Sequence, residues 1–210
     1  DTIVIGAHGD DDDGSNSGSV YVFRTTDGGA TYVQTNKLTA VDGLAYNYFG
    51  FSVAIDGDTI VIGAYGDDDI DRRRLSLMMA PSPTCDSGSG FFVCDLGSAY
   101  VFRTSDGGAT YDQVAKLTAS DAAGDDEFGG SVAIDGDTIV VGTNSKEAAY
   151  VFRTSDGGAT YDQGAKLTAA DAASGDLFGY SVAIDGNTIV VAPPWDNDGG
   201  GTKSGSVYVF

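Results

Sequence analysis

Ser52-Val-Ala-Ile-Asp-Gly-Asp-Thr-Ile-Val61 recurs unchanged at Ser131–Val140 and, with Asn187 in place of one Asp, at Ser181–Val190. The chain opens on the second half of the same phrase, Asp1-Thr-Ile-Val4. Val53 and Ile55 alternate with Ser52 and Ala54, the period of a strand, and Thr59-Ile-Val-Ile62 is a β-branched run suited to a sheet covered on both faces. Asp56-Gly57 between them predicts a two-residue hairpin turn of type I′. Two further pieces recur. Val20-Tyr-Val-Phe23 returns before Phe102, Phe152 and Phe210 and reads as a third strand; Tyr32 to Leu38, with copies ending at Leu117 and Leu167, reads as a fourth. No segment has helical periodicity with caps. A unit of four short antiparallel strands in about 50 residues has the scale of one propeller blade.

The spacing divides the connections into two kinds. Phe23 to Ser52, Phe102 to Ser131 and Phe152 to Ser181 each span 29 positions. From the start of the second strand to the closing Phe the spans are 22, 44, 15 and 23 positions, ending at Phe23, Phe102, Phe152 and Phe210. Only the loop between the second and third strands varies, and such loops lie on the surface and often carry function. The expected fold is therefore all-β, a partial β-propeller of about 3.5 blades and 14 strands, with repeats at about 1–48, 49–127, 128–177 and 178–210. The phase, beginning at a second strand and ending at a third, predicts a segment of a longer propeller or ends completed by other material. A compact four-bladed form with two incomplete blades is the alternative.

The chain has 210 residues and a net charge of −20. Nucleic acid and anionic membrane surfaces are excluded as partners because they need a basic face, whereas cations fit. No apolar run approaches the ~20 residues of a spanning helix. Residues 70–96 form an insertion in the second repeat, holding both Met, Arg72-Arg73-Arg74, Pro81, Pro83, Cys85 and Cys94. It reads as a ligand-reading loop or as a mobile insertion. Cys85 and Cys94 are a candidate disulfide in an oxidising compartment, or two free thiols.

These residues resemble the FG-GAP repeats of the integrin α-subunit head. The FG is Phe49-Gly50, Phe128-Gly129 and Phe178-Gly179. The GAP is degenerate: Gly6-Ala7-His8, Gly63-Ala64-Tyr65, Gly142-Thr143-Asn144 and Ala192-Pro193-Pro194. The resemblance implies a propeller, often of seven blades, used for extracellular or cell-surface recognition and adhesion. Within the repeat, Thr25-x-Asp27-x-Gly29-x-Thr31-Tyr32 and its copies from Thr104 and Thr154 resemble the Asp-box, a structural hairpin turn of sialidase-like propellers. The calcium loop of integrin-like repeats lies between the first two strands. Here that connection is too short to wrap an ion, so those sites do not transfer.

In a four-stranded meander the variable loops and the blade-to-blade crossovers share one rim, and here that rim is acidic. Calcium takes six to eight oxygen ligands, and the candidate Ca2+ ligands are Asp10, Asp12, Asp13, Asp67, Asp69, Asp71, Asp196 and Asp198; solvated loops are the alternative. Trp195, Asp125, Asp126 and Asp176 are the candidate ligand face, where Trp195 stacks on a sugar or packs beside Pro193-Pro194. His8, the only histidine, is read as a loop residue, which leaves little for Ser-His-Asp or multi-His zinc chemistry. Arg24, Arg103 and Arg153 end the third strands and are expected to serve the Asp-box hairpins rather than form a sialidase-type arginine triad. The expectation is a recognition module for a protein or glycan ligand, not an enzyme. A sialidase-like glycoside hydrolase, and a structural component that assembles with further repeats or copies into a filament, are the alternatives.

Overall fold

The computed structural model describes residues 1–68, 95–197 and 203–210. Among these residues there is no helix, so none is long and apolar enough to cross a membrane. The strands form four antiparallel sheets. Blade 1 holds β1 (Thr2–Ala7), β2 (Ser19–Arg24) and β3 (Val33–Leu38). Blade 2 holds β4 (Ser52–Asp56), β5 (Thr59–Ala64), β6 (Ser98–Arg103) and β7 (Asp112–Leu117). Blade 3 holds β8 (Phe128–Asp135), β9 (Thr138–Thr143), β10 (Ala149–Arg153) and β11 (Asp162–Leu167), and blade 4 holds β12 (Ser181–Asp185), β13 (Thr188–Ala192) and β14 (Tyr208–Val209). Each sheet is a meander in chain order, and β8 lies between β4 and β12. This is a partial β-propeller with the strand phase expected from the repeats.

One local reading is corrected. Asp56 pairs with Thr59 in the ladder, so the two-residue turn is Gly57-Asp58, not Asp56-Gly57. Of these two residues only Gly57 has a positive φ, 53°, which is the pattern of a type II′ turn. This register frees the Asp56 carboxylate for another task. Its Oδ2 accepts the Gly136 N–H of the next blade's turn at 2.7 Å, and Asp135 accepts the Gly186 N–H at 2.5 Å.

The FG and GAP segments meet between blades. Gly129 and Gly179 have φ of 92° and 102°, where a side chain is strained. Their carbonyl oxygens lie directly over the GAP glycines Gly63 and Gly142 of the preceding blade, leaving no room for a Cβ. Gly6 meets Gly50 in the same way. The FG phenylalanines are the wedges of the core. Phe49, Phe128 and Phe178 are buried, each edge-on to a Tyr and a Phe of its own blade's third strand, with centroids 5.4–6.1 Å apart. The three apolar clusters each span two neighbouring blades, so the core is the set of blade interfaces rather than the interior of any one sheet. The outer faces of the end blades carry the same side chains uncovered. Ile3 and Ile5 are 40% and 50% exposed, whereas their counterparts Ile60 and Ile62 are fully buried.

Candidate functional site

The connections β1–β2, β5–β6, β9–β10 and β13–β14 emerge at the same rim as the crossovers 39–51, 118–127 and 168–180. Direct bonds show the two kinds of connection meeting. Tyr46 N–H donates to Ser15 O at 2.8 Å, and Glu127 N–H to Asp95 O at 2.9 Å. Three of the four loops share one closing bond at their base. Gly18 N–H donates to Asp10 O at 2.9 Å, Gly97 to Asp67 O at 2.8 Å and Gly205 to Asp196 O at 2.9 Å. Because the base is closed by the same bond, a longer excursion adds little loop-closure cost.

Asp10, Asp67 and Asp196 are thus one structural position. Their carboxylates also accept the hydroxyl of the blade's own third-strand tyrosine: Tyr21 to Asp10 at 2.6 Å, Tyr100 to Asp67 at 2.6 Å and Tyr208 to Asp196 at 2.9 Å. The crossover aspartates lie against the third-strand hydroxyls of the following blade, Asp42 3.0 Å from Tyr100, Asp121 2.7 Å from Tyr150 and Asp171 2.9 Å from Tyr208, so that Tyr100 and Tyr208 each share one proton between two carboxylates. The fourth-strand lysines complete the cluster. Lys116 Nζ sits 2.7 Å from Asp42 and 2.9 Å from Asp67, and Lys166 lies 2.7 Å from Asp121. In blade 1 Lys37 pairs with Asp12 and, at 3.4 Å, with Asp10.

The electrostatics follow from this geometry. Hydrogen bonding by Lys166 and Tyr150 holds the Asp121 carboxyl down at about 2. Burial pushes Asp42 up, but the Lys116 ammonium outweighs it and leaves the carboxyl below its ordinary value. The hydrogen bond from Lys37 likewise lowers Asp12. Burial together with the facing carboxylates pushes the Tyr100 and Tyr150 hydroxyls well above the usual tyrosine range.

The remaining candidate residues take several roles. Asp13 lies beside Gly43 of the crossover. Asp126 and Asp176 are buried, accepting the N–H groups of Ala123 and Ala173 at 2.7 and 2.8 Å; Lys146 covers Asp126 at 2.5 Å. Asp125 is exposed. Trp195 is 45% exposed, with Lys203 Nζ 3.9 Å from its ring centroid. His8 packs among Tyr48 and Phe51. Asp69, Asp71, Asp198, Cys85 and Cys94 lie outside the described residues. Among the described residues no three His, Cys, Asp or Glu side chains converge as a metal cage.

Sequence reasoning missed Glu147. Blade 3 has the shortest loop, and there the Glu147 carboxylate accepts the N–H groups of Gly175, Leu177 and Phe178 at 3.0, 2.9 and 2.6 Å. In blades 1 and 2 loop carbonyls hold the corresponding crossover, Asn16 O accepting from Tyr48 and Asp95 O from Glu127. The signal was a lone Glu beside the third strand in the one copy whose loop is too short to supply carbonyls.

On the opposite rim each Asp-box carboxylate holds its own turn. Asp106 accepts from the Ala109 and Thr110 N–H groups at 2.9 Å and from the Thr104 and Thr110 hydroxyls at 2.8 and 2.7 Å. These bonds hold its carboxyl well below the usual range. Asp106→Ala is expected to lower Tm by about 5 °C, read by calorimetry at pH 7. The difference should shrink as pH falls below about 4, where the unfolded carboxylate takes up a proton that the folded one still refuses. Arg103 donates to the Gly157 carbonyl of the next Asp-box, and Arg24 lies against Gly108 in the same manner. These arginines are latches between blades, as expected of partners of the hairpins.

The FG-GAP repeat profile matches residues 1–23, 32–75, 111–161 and 161–210. No curated protein matches the sequence. Among solved structures the chain is similar to Sqt1 of Saccharomyces cerevisiae, at 13% identity and a TM-score of 0.36, over 100% of this chain and 54% of that one. It therefore spans about half the length of that structure. FG-GAP repeats are in general non-enzymatic, in keeping with a binding role. With the profile matched across most of its length, and each GAP glycine of blades 1 to 3 seated under the FG of the next blade, the chain belongs to the FG-GAP repeat family of propeller-type recognition modules.

Proposed function

We propose that the acidic rim is the recognition face and that it engages a protein or glycan outside the cell. The observation that carries this reading is the set of exposed aromatic side chains among the rim connections. Tyr46, Phe51, Tyr180 and Trp195 are each 41–51% exposed, on a scaffold whose connections there differ in length. Exposed aromatic groups clustered on one face mark binding surfaces, because burying them against a partner releases much apolar area at low entropic cost. Most of the described rim carboxylates are engaged within a blade or between blades, so the aromatic groups and exposed carboxylates such as Asp13 and Asp125 are left to meet a ligand. Calcium enters this proposal through Asp69, Asp71 and Asp198. Calorimetric titration tests it: uptake at millimolar Ca2+ that is lost in Asp69→Asn with Asp71→Asn supports it, and no uptake removes the ion from the account.

The labelled chain, applied to glycan and extracellular-protein arrays, is expected to give capture that falls at least about tenfold in the triple variant Phe51→Ser, Tyr180→Ser, Trp195→Ala, with Tm nearly unchanged. Capture that survives the triple substitution, or turnover of a fluorogenic glycoside by the unaltered chain, would overturn the reading.

A further inference from the structure

On the rim of the Asp-boxes the outer strand of blade 1 faces the Asp-box turn of blade 2, and the outer strand of blade 2 faces that of blade 3. Between blades 1 and 2 the gap is bridged, because Asn36 Nδ2 donates to Ala109 O at 3.1 Å. Ala115 holds the Asn36 position in blade 2 and has no polar side chain to reach across. There a cavity of about 460 Å³ stands open between blades 2 and 3, within the size range of small-molecule sites.

Its walls include Arg103, Ser105, Asp112 and Val114 of blade 2 and Gly157 and Ala159 of blade 3. Thr104 and Asp156 also border it, but both are engaged within the Asp-box. The other groups retain capacity. Arg103 gives one Nη to Gly157 O, which leaves the other donors of its guanidinium terminus for a ligand. Asp112 is exposed and has no ion pair among the described residues. Val114 is the extra residue of the β-bulge that β7 makes against β6, and it turns an apolar surface, 38% exposed, to the groove.

We propose that this groove binds one neutral hexopyranose unit of a glycan, at a site separate from the acidic rim. The one guanidinium faces two carboxylates, Asp112 and the Asp156 that is spent on its own turn, so the site has no surplus positive charge with which to select an anion. The Arg103 guanidinium, the Asp112 carboxylate and the Ser105 hydroxyl together offer the donor and acceptor capacity that adjacent sugar hydroxyls need. Val114 and Ala159 present the apolar surface that the C–H face of a pyranose needs.

The test uses the full chain labelled with 15N and titrated with methyl α-mannoside, methyl β-glucoside and methyl β-galactoside to about 50 mM, above the millimolar Kd of a single shallow contact. Saturable shifts of the Ser105, Gly157, Gly158 and Ala159 amides with at least one sugar are expected. Ala115→Asn, which installs the bridge of the neighbouring junction, should abolish them, and Asp112→Asn should weaken binding about tenfold. Trp195→Ala should leave them unchanged, which separates this site from the acidic rim. No saturable shift with any of the three sugars, shifts confined to the acidic rim, or binding that persists in a folded Ala115→Asn chain would overturn the proposal. If Ala115→Asn does not fold, unweakened binding in Asp112→Asn has the same force.

Discussion

Gly142→Val is expected to leave no cooperatively folded protein. A Cβ at Gly142 would overlap the Gly179 carbonyl oxygen and lie 2.9 Å from its carbonyl carbon. The obstacle is backbone, which cannot rotate away as a side chain can. Relief requires blade 4 to separate from blade 3, exposing Val140, Phe178 and Val191, which one apolar cluster buries together. Overpacking of a core costs about 1–3 kcal/mol when side chains can yield. Here they cannot, and a cost above about 4 kcal/mol takes most of the stability of an ordinary domain. Gly63→Val is expected to fail for the same reason against Gly129. Ala192 holds the GAP position in blade 4, and Ala192→Gly should cost less than about 1 kcal/mol, the ordinary price of glycine in a strand. Circular dichroism on heating reads all three. A cooperative Gly142→Val transition near that of the unaltered chain would mean that the blades do not meet at these glycines.

The second large effect is expected at Lys116. Its ammonium joins Asp42 of the crossover to Asp67 of the blade 2 loop, and the Asp67 side chain is only 6% exposed. Lys116→Met removes the cation between these carboxylates, while Tyr100 and Asn47 still donate to the buried Asp67. Losing one partner of a buried ion pair costs about 3 kcal/mol, because this counter-charge is taken from a carboxylate that stays buried. Lys166→Met should cost less, since Asp121 is 47% exposed and water screens it. The pH dependence has a definite sign. Asp42 and Asp121 are depressed in the folded state, so their contribution is complete above the unfolded value of about 3.9 and is lost as pH falls through the folded one. Tm is expected to hold from pH 7 to 5 and to drop between about pH 4 and 2. In Lys116→Met the Asp42 part of that acid loss should disappear.

The strands were legible because they depend on local pattern. Thr59–Ile62 and its copies are β-branched runs, and the recurrence of Ser-Val-Ala-Ile-Asp made their order and phase readable before any coordinates. The turn within that phrase was misread by one residue. The dipeptide Asp56-Gly57 has the composition of a type I′ turn, whereas the ladder registry that selects Gly57-Asp58 is set by pairing along the whole strand. That the variable loops share a rim with the crossovers was also readable, since it follows from counting strands. What the acids do there was not. Asp10, Asp67 and Asp196 look like metal ligands when their loops are read singly. Their bonds to Tyr21, Tyr100 and Tyr208 depend on the pairing that sets the second strand beside the third, and the crossover aspartates that join Tyr100 and Tyr208 come from 58 and 37 residues away. Glu147 was overlooked for the same reason, its partners lying across a blade boundary.

The central claim is that each crossover aspartate clamps the tyrosine of the following blade, so that the acidic rim holds the blades in place while its aromatic groups face outward. Tyrosine 13Cζ NMR against pH measures this directly. Tyr100, Tyr150 and Tyr208 are all held above the ordinary value, so they should remain protonated past about pH 11. Asp121→Asn should lower the titration of Tyr150 and leave that of Tyr208 in place. Titration of Tyr150 near pH 10 in the unaltered chain, or no response of Tyr150 to Asp121→Asn, would contradict it.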